Sequence, residues 1–483
     1  MRINLKFYLL ILVFSSIVSC SKDYEVPQDI IVHDFVWKGL NAYYLYQDQI
    51  EDLSDRRFNS DEELNTFLRS FPDYNTLFSS LLLSTDNRSL LLEDYNTITT
   101  SEIRTSFTNG MEFGIIADPN STENVIGYVT HILSNSNASS QNIERGEFFN
   151  AVDGVLLTRT NYESILITGS NDFTLSMVNF DGNIATPNGK TVSLQKEAYT
   201  YPATFLEKTI PLNGEDIGYL IYNNDFSKNY LENLNNTALN FKNQGVKKLV
   251  LDLRYNIASG AFASNIEKLG SILLGQFSDE VFIKEQWNTK AQTWFLANQP
   301  DSLLNRFSTL LNQNTAINHL ELTDIYIILN GNSFTGSSAI ELLINSLDAY
   351  MNVHVIGNQT AGNNTGSITL YDSEDYDFGL KDESHTVALQ PLVLSFLNNN
   401  DQTYDNGFSP RIQLCNNEAP LNLGVLGENS DPILNSVLNY ITNGNTTFPA
   451  CNQNNFEFIF NSINQQRTID RGVFIKQDLP NTY

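Results

Sequence analysis

Apolar and polar positions follow two regimes along the chain. Between residues 217 and 356 the apolar residues come in near-continuous runs of strand length: Ile217–Tyr222, Val246–Leu253 and Ile325–Leu329. Runs without alternation are what strands buried on both faces require, and helix-covered parallel sheets are their usual place. Between them the spacing turns helical, with Leu231, Leu234, Ala238 and Phe241 on one side of a helix over Ser227–Gln244 and a second helix over Ala263–Leu274. Val281–Glu285 and Thr293–Ala297 read as strand candidates, and the polar interval after them as helical. Upstream, Phe35, Val36, Leu40, Tyr43 and Tyr44 recur at helical spacing, and Ser60-Asp61-Glu62-Glu63 makes a capping-box start for a helix reaching Phe71, with another over Tyr74–Leu83. Met111 to Val178 reads as short strands with turns, Pro187–Lys196 as a polar linker, and everything after Cys451 as irregular.

The most informative stretch runs from Ile325 to Ser367. A strand leads into a small-residue turn, Gly331–Ser338, then an amphipathic helix, Ala339–Tyr350, a second strand, Val353–Ile356, and a Gly/Asn/Thr loop. That order sets a hydroxyl at a helix N-terminus, where backbone N–H groups face outward. Such a place suits an acyl-transfer nucleophile, because the same N–H groups can stabilise an oxyanion; it equally suits a plain helix cap.

Composition narrows the classes. Twenty-eight basic against fifty-five acidic residues give a net charge of −27, which argues against nucleic acid as a partner. The 483 residues leave room for two or three domains. Arg2 and Lys6 followed by the apolar Phe7–Val18 read as a targeting segment too short for a comfortable span. With no Cys-x-x-Cys and no His-Glu-x-x-His, neither a metal nor another cofactor is expected.

Several short motifs carry a resemblance. Ile17-Val18-Ser19-Cys20 resembles a bacterial lipoprotein box, which implies lipidation of Cys20 and anchoring in the cell envelope; Ser21-Lys22-Asp23-Tyr24-Glu25 resembles the signal that sends lipoproteins to the cell surface in Bacteroidetes-type bacteria. With Cys20 lipidated, Cys415 and Cys451 are left, and an exported protein usually pairs two such residues. Glu112-Phe113-Gly114-Ile115 resembles the carboxylate-binding loop of PDZ domains, implying peptide binding at Phe113, Gly114 and Ile115. Glu144–Gly154, with Arg145-Gly146-Glu147, the run Asp252-Leu253-Arg254-Tyr255-Asn256, the Ser338–Gly357 segment, Tyr404–Pro410 and Leu423–Tyr440 together resemble the C-terminal processing (tail-specific) serine proteases, which use a Ser–Lys dyad.

This resemblance implies an α/β multidomain fold: a helical subdomain (33–100), a PDZ-like β-rich domain (101–185) and a crotonase/ClpP-like protease core (200–451). A signal peptide (1–20) and tether (21–32) precede these, and a tail (452–483) follows. The resemblance puts the nucleophile on Ser338, with Ser337 one residue away, and an oxyanion N–H on Ala339. It also marks two departures. Asn363 stands where the family has its lysine, and Ile257 and Ala258 stand where it has oxyanion-loop glycines. An amide cannot accept the serine's proton at neutral pH. The expectation is therefore a surface lipoprotein that binds peptide or protein C-termini with catalysis lost or impaired. An active serine endopeptidase with a different base and a glycan-binding surface protein stay open. His354, His385, Lys381 and Glu341 are the substitute groups nearest in sequence, and Arg254 is expected to hold a structural ion pair.

Overall fold

The computed structural model describes residues 25–98, 104–257, 260–331, 334–415, 417–448, 456–467 and 472–475. Cys20 and the signal segment, Ala258 and Cys451 lie outside the described residues. The helical region contains α1 (Ile31–Tyr43), α2 (Asp61–Leu68) and α3 (Tyr74–Ser80). Helix α2 starts where the capping pattern puts it. Ser60 accepts the Glu63 N–H at 3.2 Å, while the Glu63 carboxylate reaches the N–H of Asn59 at 2.9 Å. Trp37, Tyr43 and Tyr44 are buried, so these aromatic side chains serve as packing. They pack against the main core, where the Asn288 amide donates to the carbonyls of Ala42 and Tyr44.

Next comes a β-rich unit with strands β1 (Met111–Ala117), β2 (Val125–Ile132), β3 (Phe148–Val152), β4 (Asp172–Phe180) and β5 (Ala185–Gln195), each antiparallel to the next. Strand β5 corrects the reading of Pro187–Lys196 as a linker. Val192 and Leu194 alternate into the core beside Phe173 and Leu175. Pro187 falls next to a register shift, where a missing N–H costs no ladder bond. In the turn before β3, the Glu147 carboxylate accepts the Glu144 N–H at 2.9 Å and pairs with Lys190 at 2.6 Å. One wide helical turn, Glu163–Ile167, crosses the unit ahead of β4.

The elements that build the core are β6 (Leu206–Leu212), β7 (Glu215–Ile221), α4 (Lys228–Asn243), β8 (Lys248–Asp252), β9 (Gly260–Phe262), α5 (Ala263–Leu273), β10 (Val281–Trp287), α6 (Thr289–Asn298), β11 (Leu304–Arg306), β12 (Asp324–Ile328), α7 (Ser338–Asp348), β13 (Asn352–Gly357), β14 (Thr365–Ser367), β15 (Leu392–Leu397), β16 (Ile412–Gln413) and α8 (Pro432–Asn443). One sheet runs β6-β7-β8-β12-β13-β16 and is parallel from β7 onward. Both its faces are covered, as the unbroken apolar runs require. Leu249, Leu251, Ile325 and Ile327 pack toward α4, α5 and α7, whereas Val250, Tyr326 and Ile328 pack toward α8.

Three further expectations are corrected. Thr293–Ala297 is helical, not a strand, because Asn288 caps α6 through the Ala291 N–H (2.9 Å) and buries Ala291 and Phe295 one turn apart. The interval after it is a short 3-10 turn and strand β11, plus the hairpin Leu310–Asn312/Thr315–Ala316, not a helix. The segment after Cys451 is also ordered where described. It forms β17 (Phe458–Asn461), α9 (Ser462–Gln466) and β18 (Gly472–Phe474). Strand β17 adds to the β1 edge, and β18 lies between β9 and β14 in a second sheet, β9-β18-β14-β15-β10-β11. Among the described residues no helix is long and apolar enough to cross a membrane.

Candidate active site

The carboxyl ends of the parallel strands stand level, since Ile221, Asp252, Ile328 and Ile356 are successive register partners. Loops leaving that edge converge, which is where open α/β sheets build their sites. After β12, Asn330 and Phe334 exchange backbone hydrogen bonds at 3.0 and 3.1 Å. Gly336 (φ 102°) then turns the chain into α7 in a conformation a side chain would resist. Ser337 is the N-cap and Ser338 the first helical residue. Ser337 gives no side-chain cap, and its buried hydroxyl has no hydrogen-bond partner among the described residues. Ser338 is 0% exposed.

One turn on, the buried Glu341 carboxylate accepts the N–H groups of Gly362 (2.6 Å) and Asn363 (2.7 Å). Glu341 therefore holds the loop carrying Asn363 against the first turn of α7. The loop is braced from behind. Asn364 donates to Asp405 (2.7 Å), Phe408 N–H donates to the Thr360 hydroxyl (2.7 Å), and a Cβ at Gly362 would meet the Asp405 carbonyl at 2.3 Å. The three distant groups weighed as substitute bases are engaged elsewhere. The ring nitrogens of His354 face Asp324 and Tyr440, those of His385 face Asp372 and the Val387 N–H, and the Lys381 ammonium lies over Phe378.

The opposite wall follows β8. Arg254, 0% exposed, pairs with Asp252, Asp431 and Glu418 at 2.7–3.0 Å. Burial works against its charge, but the three carboxylates outweigh burial and hold the guanidinium firmly protonated. Burial would raise the Glu418 carboxyl too, yet Arg145 and Arg254 draw it down to about 2. The ion-pair role expected for Arg254 is thus its geometry, and Arg145 of the β-rich unit joins the same cluster through Glu418 (2.7 Å). Beyond it, Asn256 donates to the carbonyls of Tyr222 and Asn224, and the Ile257 N–H is directed to the Asn223 carbonyl at 3.3 Å. None of residues 254–257 takes a positive φ, as the β-branched Ile257 leads one to expect.

Arg467 is the residue that sequence reasoning missed. It donates to the carbonyls of Arg254 and Asn256, both at 2.9 Å, and its guanidinium lies 4.0 Å over the Phe334 ring. It thereby ties the loop after β8 to the turn before Ser338. The alternation Phe456-Glu457-Phe458-Ile459-Phe460-Asn461 was the available sign that this segment is structured. Phe113, Gly114 and Ile115 lie on β1, and the structure pairs that edge with the segment: Phe460 is opposite Ile115, Asn461 is opposite Gly114, and the Phe113 N–H donates to the Ser462 hydroxyl at 2.9 Å.

Residues 32–95 match the family model of the Peptidase S41 N-terminal domain. The fold matches the crystal structure of a "Putative S41 protease" from Bacteroides fragilis with a TM-score of 0.63 and 18% identity, covering 87% of this chain and 99% of that one. The chain has the S41 peptidase fold, and its N-terminal helical region is similar to that family's N-terminal domain. This agrees with the resemblance to the C-terminal processing peptidases. A photosystem II D1 C-terminal processing protease aligns over 85% of this chain and 100% of its own at a TM-score of 0.44 and 15% identity. Comparison with curated proteins gives no match. Among the described residues no group of His, Cys, Asp and Glu is arranged to hold a metal.

Proposed function

We propose that this S41-fold chain is a surface lipoprotein that binds peptide or protein tails and does not cut them efficiently. The observation that carries the reading is the Glu341 clamp. The residue it draws up to the Ser338 turn is Asn363, an amide where the resemblance implies an amine. Loss of a general base typically costs two or more orders of magnitude. Two observations add support: the Ile257 N–H already has a carbonyl partner, and Ser338 is fully buried. Lipid attachment at Cys20 and a PDZ-like role for the β-rich unit belong to the same proposal. So does a Cys415–Cys451 bridge, supported by the tendency of exported proteins to pair two remaining cysteines.

The peptidase reading keeps one favourable feature. The Ser337 side chain does not cap the start of α7, where the N–H of Ala339 would serve as an oxyanion donor. Treatment of the full chain with a fluorophosphonate probe, read by mass spectrometry, separates the two. No adduct is expected. A Ser338 adduct that disappears in Ser338→Ala establishes the peptidase and defeats this proposal. Peptide affinity that depends on a free terminal carboxylate is expected, whereas indifference to that group favours the glycan reading.

A further inference from the structure

Strand β1 has β2 on one side, and on the other it meets the chain's own segment 456–467. The Ala117 N–H donates to the Glu457 carbonyl (2.9 Å), Phe458 and Phe460 sit opposite Ile116 and Ile115, and Ser462 caps the Phe113 N–H. The Phe460 ring is 5.6 Å from those of both Phe113 and Tyr162, so it fills the groove between β1 and the helical turn that begins after Tyr162. These are the contacts an extended peptide makes when it augments a sheet: backbone bonds for affinity, one side-chain pocket for selectivity.

The same observations show a light hold. Strand β17 has four residues and a register shift, Phe458 is 36% exposed, and the Glu457–Arg159 pair faces solvent. Segment 456–467 also covers the Glu112 carboxylate, which accepts from Ser462 and Gln466 and is pushed up by burial. Strand β18, a few residues on, has neighbours on both sides and keeps the segment tethered if β17 lifts.

We propose that residues 456–462 are an intramolecular strand ligand for the β1 edge, exchanged for an extended peptide from another molecule that presents an aromatic side chain at the Phe460 position. This rests on the peptide-binding reading and adds that the site is self-occupied. An external peptide must compete with a tethered segment whose effective concentration is on the order of millimolar, so its apparent affinity is reduced by the fraction of open molecules.

The test uses the full chain and a labelled synthetic peptide with the sequence of residues 456–462. Weak binding to the wild type is expected. At least tenfold tighter binding is expected for Phe460→Asp, with a smaller gain for Ser462→Ala, which leaves the apolar packing intact. Hydrogen exchange at the Phe113 and Ala117 amides should speed up in both variants. Equal affinity in wild type and both variants, with their folds intact by circular dichroism, overturns the proposal, as does unchanged protection of those amides. A parallel panel of peptides with free C-terminal carboxylates separates the two claims. If the segment peptide binds the opened variants and the panel does not, the tail-binding reading fails and self-occupancy stands. If the panel binds the wild type and both variants equally, self-occupancy fails and the reading stands.

Discussion

The two strands of the 456–475 segment are held in opposite ways. Strand β17 is antiparallel to one neighbour and leaves Phe458 36% exposed, whereas β18 is inserted between β9 and β14 with Val473 0% exposed. Arg467 stands between them and already belongs to the buried side, through the carbonyls of Arg254 and Asn256. A strand with one neighbour can be traded for another strand at little cost, because only one ladder is re-formed. A strand with two neighbours is core, since its departure strands two ladders and opens a cavity.

The largest expected effect sets these strands against each other. Val473→Asp puts an unpaired charge in the middle of a sheet and is expected to cost about 3–5 kcal/mol or to prevent folding. Phe458→Asp, on the exposed edge, is expected to cost about 1 kcal/mol or less. Denaturant unfolding of both variants checks this, and equal losses would erase the distinction between edge and core.

The pH dependence comes next, through two groups on the buried side. Glu285 of β10, in the same sheet as β18, is pushed by burial from an ordinary 4.5 up to about 7. The folded form therefore holds this proton more tightly than the unfolded one. Stability from this site falls as pH rises from about 4.5 to about 7, by roughly 3 kcal/mol, and Glu285→Gln is expected to flatten that slope. Glu418, drawn down to about 2 by its arginines, acts in the other direction. Its contribution is complete above about 4.5 and is lost as pH falls toward 2. Unfolding midpoints measured from pH 3 to 8 distinguish the two limbs.

The smallest effect returns to the edge. Arg159→Ala removes the exposed partner of Glu457 and is expected to leave the global midpoint unchanged while slightly speeding exchange of the Ala117 amide. A measurable drop in global stability would mean that β17 is more than an edge.

Legibility followed the same division. The buried parallel strands were readable because two covered faces force unbroken apolar runs, and the Ser338 turn because small residues must separate strand from helix. Thr293–Ala297 was misread because its β-prone residues are outweighed by the Asn288 cap. Pro187–Lys196 was misread because a half-exposed strand carries only the thin alternation of Val192 and Leu194. The site was legible in its residues and not in its contacts. Ser338, Asn363 and Ile257 were chosen from their positions, but nothing local announces that Glu341 grips the 362–363 backbone or that Arg467 crosses from the far end of the chain.

By itself, the sequence determined the parallel α/β core, the hydroxyl at the start of α7 and the absence of a lysine at position 363, because these depend on local periodicity and residue chemistry. The tertiary structure alone decided where 456–475 goes. A short alternating run such as FEFIFN fits many sheet edges equally well. Its choice of β1 depends on an edge left open hundreds of residues away, on the Phe113 and Tyr162 rings that receive Phe460, and on the core slot that takes β18.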